Sequence, residues 1–140
     1  MEKQIIRLTG REELKEKDKN EIKTLAFSTD IKYLAAFCKP DKAIVWEWYD
    51  KPKIMAESKI GRDIERISIN PKEKHLVCTT GANHIGLWTI RDGILKPEEL
   101  AHIDEKQNFK DHCWLDDDKL VVSSELGFIY IIDKLAKRVM

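Results

Sequence analysis

The side chains able to do chemistry in this 140-residue sequence are few, and their spacing argues against most reactions. His112 and Cys113 are adjacent, while the other histidines and cysteines are scattered without CxxC or HxxxH spacing. Four-coordinate zinc takes its ligands from such short spacings, so no metal centre is expected. Asp116-Asp117-Asp118 is an acidic run, but it lacks the glycine and distal glutamate of a calcium loop and reads as a hairpin turn. The sequence holds no G-x-S-x-G, no H-E-x-x-H and no Walker-type glycine loop. Gly81-Ala82-Asn83 separates two strand-like runs and opens no helix, so a phosphate cradle is not expected there. No catalytic residue and no cofactor follow from these patterns.

The totals narrow the partners. Lys+Arg and Asp+Glu balance at 25 each, which gives no general attraction to phosphate backbones or anionic lipid. Nucleic acid and membrane are therefore not expected as partners. Apolar runs such as Leu34–Cys38 and Phe128–Ile132 fall far short of the roughly 20 residues that cross a bilayer. The opening Met1–Ile6 lacks the apolar core of a secretion signal. Cys38, Cys78 and Cys113 cannot all pair within the chain and lie in or beside apolar runs. Reduced, buried thiols in a cytoplasmic compartment are expected.

What must position these side chains is a repeat. Ile22–Asp30, Lys32–Cys38 and Ala43–Trp48 form a first copy, and Ile64–Pro71, His75–Gly81 and Ile85–Ile90 a second. His112–Asp118, Lys119–Ser124 and Gly127–Asp133 form a third. Phe27, Ile69 and Trp114 recur at about 42 to 45 residues, and Trp46 and Trp88 at a similar interval, which is the period of a four-stranded propeller blade. Each run is rich in β-branched and aromatic residues and is bounded by turn formers, as in Lys39-Pro40-Asp41-Lys42 and Asn70-Pro71-Lys72-Glu73. Fainter fourth strands are expected at Lys53–Glu57, Glu99–Ile103 and Leu135–Met140. A generic sandwich also gives short strands with frequent turns, but three copies in phase argue for blades. Cys38 and Cys78 are expected at equivalent strand positions, and Trp46 and Trp88 as plugs between adjacent blades.

At these residues the sequence resembles the WD-repeat family. Phe27-Ser28-Thr29-Asp30 and Ile69-Asn70-Pro71 resemble its F-S-P-D turn, and Trp46-Glu47 and Trp88-Thr89 occupy its Trp-Asp position. The departures are that no Gly-His pair precedes any blade and that the Asp is missing from the first two dipeptides. In the third, Ile131-Ile132-Asp133 replaces the dipeptide. The resemblance alone therefore does not imply the family's buried Trp-Ser/Thr-Asp-His network. A narrower likeness, over residues 22 to 133, is to the large cilia- and flagella-associated WD-repeat proteins. It rests on Val77–Gly81, Leu87-Trp88, Gly93–Lys96, His112–Leu115 and Lys119–Val122.

The resemblance implies an all-β fold: a partial WD-repeat β-propeller of about three consecutive four-stranded antiparallel blades. The expected division is 22–58, 59–103 and 104–140 for the blades, with 1–21 as an outer strand of a preceding blade plus a charged loop. Three blades do not close a ring, so the remaining blades of the same or another chain are expected partners, the same chain first. The function implied is a non-catalytic scaffold for protein partners in the ciliary or flagellar axoneme: dynein-regulatory, microtubule-associated or other scaffold subunits. Rim loops are the expected contact points: Tyr49-Asp50-Lys51-Pro52, Ile60-Gly61-Arg62-Asp63 and Asp104-Glu105-Lys106-Gln107-Asn108. The alternative is a peptide-recognition or hydrolase domain using a central channel, for which Glu65, Arg66, Asp111 and His112 are the groups on offer.

Overall fold

The computed structural model describes residues 8, 21–100, 103, 106–133 and 138–139. Within them every regular element is a strand. The first sheet is β1 (Ile22–Phe27), β2 (Tyr33–Cys38), β3 (Lys42–Glu47) and β4 (Lys53–Lys59), each pairing antiparallel with the next. The second is β5 (Ile64–Ile69), β6 (Leu76–Gly81), β7 (His84–Arg91) and β8 (Ile94–Glu98). The third is β9 (Phe109–Trp114), β10 (Lys119–Ser124), β11 (Ile129–Asp133) and β12 (Arg138–Val139). Three meanders in sequence order are the expected blades. The expected outer strand at Gln4–Leu8 and the loop Gly10–Asn20 lie outside the described residues except for Leu8.

The turns explain why the chain reverses where it does. In the second blade the Asn70 amide oxygen accepts from the N–H groups of Lys72 and Glu73 at 3.0 and 2.8 Å. In the third, Asp116 accepts from Asp118 and Lys119 at 3.1 and 2.9 Å. A short polar side chain thus takes up backbone donors that no strand can satisfy at a reversal. Asp92 and Gly93 both have positive φ, 56° and 75°, which is the pairing a two-residue hairpin requires.

That hairpin corrects one expectation. The fourth strand of the second blade is Ile94–Glu98, paired Arg91↔Ile94 through Leu87↔Glu98, and not Glu99–Ile103. Asp-Gly returns the chain at once, so the strand begins directly after it. The third-blade strand expected at Leu135–Met140 is Arg138–Val139 among the described residues.

Period-two side-chain alternation gives each blade two faces. Toward the second blade, the first presents Ala35, Phe37, Ala43, Val45 and Ala56. The second blade meets them with Ile64, Ile67, Ile69, Val77 and Ile90. Its opposite face carries Leu76, Cys78 and Leu87 against Phe109, Leu120, Val122 and Ile132 of the third blade. A last cluster, Ala36, Cys38, Ile44 and Trp46, lies on the outward face of the first blade with Leu8 packed against it. Trp88 packs between the first two blades as expected, whereas Trp46 faces away from the second blade.

Register also corrects the cysteines. Phe27 pairs with Leu34 but Ile69 with Val77, so the second turn is one residue longer. Cys38 then corresponds to Gly81 and not to Cys78, and the two thiols face different clusters. All three cysteines are free. Cys38 and Cys78 are buried, and burial raises both thiol pKa values, but Cys113 is exposed. Alternation along β9 turns Cys113 to the side that no described blade covers.

Candidate interaction surface

Antiparallel meanders place their reversals on two rims. The first-to-second and third-to-fourth strand turns share one rim, and the second-to-third turns share the other with the connections between blades. On the first rim, neighbouring turns are tied together. Thr29 Oγ1 donates to the Pro71 carbonyl at 2.7 Å, and Asn70 Nδ2 to the Asp117 carbonyl at 2.8 Å. Lys74 pairs with Asp30, which holds that carboxyl well below the usual range. Thus the turn of each blade grips the turn of the next. The expected contact loop Tyr49–Pro52 lies on this rim, with Tyr49 exposed and edge-on to Trp48.

Beside it stands Ile31, with φ 65° although β-branched, a conformation costing about 1–2 kcal/mol. Its carbonyl accepts from Trp48 Nε1 at 2.6 Å and its N–H donates to the Ser28 carbonyl at 3.0 Å, which together hold it there. Nothing in the sequence marks Ile31, since the residue type carries no turn signal.

The other rim carries the second expected loop and the described part of the third. Ile60–Asp63 approaches the turn Lys39-Pro40-Asp41, where the Ile60 N–H donates to the Asp41 carbonyl at 2.6 Å. Between them lies an open groove of about 450 Å³ lined by Lys39, Pro40, Asp41, Gly61, Arg62 and Asp63. Of the third loop, Asp104 and Glu105 lie outside the described residues. Asn108 bridges to Ala82, and its Nδ2 donates to Glu125 at 3.1 Å. Gly81 is fixed by this rim: a Cβ there would lie 2.0 Å from the Asp63 carbonyl oxygen.

The groups offered for channel chemistry separate. Lys23 Nζ lies 3.3 Å from Asp63 and 3.4 Å from Glu65, and Arg66 Nε lies 3.3 Å from Asp111. These pairs link β1 to β5 and β5 to β9 along one edge of the stack. His112 is not among them. It is 4% exposed and buried between blades, where Ser68 Oγ lies 2.6 Å from its Nε2 and Thr80 Oγ1 2.8 Å from its Nδ1. Trp114 Nε1 donates to the same Ser68 oxygen at 3.1 Å. With both ring nitrogens engaged and water excluded, burial pushes the imidazole pKa down to about 4, the Arg66 charge adding to it. A neutral, structural histidine is the result.

A second network faces the first blade. Trp88 Nε1 donates to Thr79 Oγ1 at 2.8 Å, and that oxygen lies 2.9 Å from His84 Nε2. Gly86 makes room for it, because a Cβ there would lie 2.8 Å from both the His84 ring and the Trp88 nitrogen. The sequence reading missed both networks. The available signal was a Thr-Thr step in β6 with one histidine on the same sheet and one across the blade contact.

Asp116, Asp117 and Asp118 place their carboxylates within 4.8 Å of one another. Lys119 Nζ sits 3.8 Å from Asp116 and 3.4 Å from Asp118, and Asp116 is spent on the turn. The run is built as a hairpin.

No family model matches the chain. Over 114 residues it is 29% identical to cilia- and flagella-associated protein 57 of Mus musculus, covering 79% of this chain. The match spans only 9% of the length of that relative. In three dimensions it superposes on the Cps50 (Swd1) β-propeller domain of Myceliophteria thermophila with a TM-score of 0.74. There the identity is 19%, and the match covers 84% of this chain and 40% of that one. Three meanders stacked in order, tied turn to turn and matched to this neighbour, identify the chain as three consecutive blades of a WD-repeat-type β-propeller.

Proposed function

We propose that the chain is part of a non-catalytic scaffold that presents its rims to protein partners, and that it works in the ciliary or flagellar axoneme. The axonemal assignment is supported by the similarity to cilia- and flagella-associated protein 57. The observation carrying the scaffold reading is how the charged groups are used. Glu65, Arg66 and Asp111 are drawn into pairs across blades and His112 is held neutral in the interior. The groove beside Ile60–Asp63 remains open. Catalysis needs titratable groups set against one another near a bound substrate, and this arrangement offers rigid loops instead. Dynein-regulatory, microtubule-associated or other scaffold subunits are the partners this reading favours.

The test is fractionation of ciliated cells carrying the tagged protein. Retention in demembranated axonemes, weakened by Arg62→Glu at the groove, is the expected result. Release into the membrane and matrix fraction would overturn the axonemal reading. Turnover of any substrate that is lost on Asp111→Ala would overturn the non-catalytic one.

A further inference from the structure

Each blade has a leading face, turned toward lower residue numbers, and a trailing face. The two contacts within the molecule show what one requires of the other. At the first contact, the trailing Ala35, Ala43, Val45 and Ala56 receive Ile67, Ile69 and Trp88. At the second, the trailing Ser68, Cys78 and Thr80 receive Phe109, His112 and Trp114. Small residues form the socket and bulky ones the plug.

The two end faces are one of each kind. Strand register makes Leu25, Phe27 and Trp46 the leading-face equivalents of Ile67, Ile69 and Trp88. It makes Cys113, Val121 and Ser123 the trailing-face equivalents of Ser68, Cys78 and Thr80. Leu25 and Phe27 are 53% and 49% exposed, whereas Ile67 and Ile69 are 0% and 5%. On the trailing end Ile129 is 73% exposed. The outer half of the leading end is already covered. Leu8 packs there, and Ala36, Cys38, Ile44 and Trp46 are at most 6% exposed. What is open is the half over β1.

We propose that a second copy of this chain covers it, the trailing face of its third blade seating on the leading face of the first. The fit follows from the strands. β9, β10 and β11 would lie over β1 and β2, while the outermost β12 is the two-residue Arg138–Val139, leaving the outer half to the segment that carries Leu8. The contact is heterologous, so two copies make it twice and close a ring of about six blades, within the four to eight that propellers use. This inference is independent of the axonemal reading.

The experiment is light scattering on the purified chain with variants at each face. The wild type is expected at twice the chain mass. Phe27→Asp and Ile129→Asp are each expected at the monomer mass, because either change spoils both contacts. Mixing the two variants is expected to restore a dimer, since one contact then joins an intact plug to an intact socket. Circular dichroism must show both variants folded; if Phe27→Asp is not, Leu25→Lys takes its place. A monomeric wild type would overturn the proposal and leave the face to a different chain. A dimer indifferent to Ile129→Asp, a mixture that fails to recover, or an open-ended polymer would overturn it equally.

Discussion

The two blade contacts solve the same packing problem with different chemistry. Between the first and second blades, Ala35, Ala43, Val45 and Ala56 meet Ile64, Ile67 and Ile69, and the seam is closed by volume. Between the second and third, Leu76, Cys78 and Leu87 share the seam with Ser68, Thr80, His112 and Trp114, joined in one hydrogen-bonded chain. Apolar burial is indifferent to pH and to the exact angle of approach, whereas a buried polar chain must be complete or it costs free energy. A divergent repeat therefore keeps its architecture without keeping its seam. The first contact tolerates a change of side chain if volume is conserved, and the second does not.

Substitutions at each seam sharpen that difference. Gly81→Ala, at the junction of the first two blades, should have the largest effect. A Cβ 2.0 Å from a backbone oxygen forces the connection Ile60–Ile64 to move, costing at least about 3 kcal/mol in denaturant melts. Trp88→Ala should cost about 3–5 kcal/mol, because it removes a bulky plug from the first seam together with the Thr79 bond. Both losses should be nearly the same at pH 7 and pH 5.5.

His112→Gln should break the symmetry between the seams. At neutral pH it should cost about 1–3 kcal/mol through unpaired groups at Ser68 or Thr80. The folded-state pKa of His112 is about 4 against 6.5 for the free side chain, so between those values the unfolded chain binds the extra proton. Stability from this group is complete above pH 6.5 and declines as pH falls toward 4, by about 3 kcal/mol in all. The difference between wild type and His112→Gln should therefore shrink with acidity, and a constant difference would show that the imidazole is not buried neutral. His84, also held to about 4 by burial, should add a smaller decline in the same window from the face of the second blade turned to the first. Smallest of all, Lys72→Ala should change stability by less than about 0.5 kcal/mol, since its 3.8 Å pair with Asp117 is solvated.

The repeat made the blades legible. Phe27, Ile69 and Trp114 fall at the ends of β1, β5 and β9 because a four-stranded meander consumes a nearly constant length of chain. The fourth strand of the second blade was misplaced because Asp92-Gly93 was not recognised as a two-residue hairpin, although that dipeptide is among the strongest local signals. The equivalence of Cys38 and Cys78 failed for a subtler reason. One extra residue in the turn after Ile69 shifts every later position, and period-two alternation turns such a slip into a change of face. Of the candidate surface, the sequence marked the loops but not their grouping, with Tyr49–Pro52 on one rim and Ile60–Asp63 on the other. It offered His112 as a channel residue, and the structure buries it. Whether an inner-strand side chain points into a channel or into a seam depends on the twist of the strand and its neighbours, which no local pattern records.

Stacking of the three sheets in chain order can be read directly from proton–proton contacts in the labelled protein. The Trp114 indole N–H should show cross-peaks to the Ser68 side chain, and His112 ring protons to Thr80, joining residues far apart in sequence through the second seam. Cross-peaks that instead join β1 or β2 to β10, with none between β5 and β9, would contradict the arrangement of neighbouring blades.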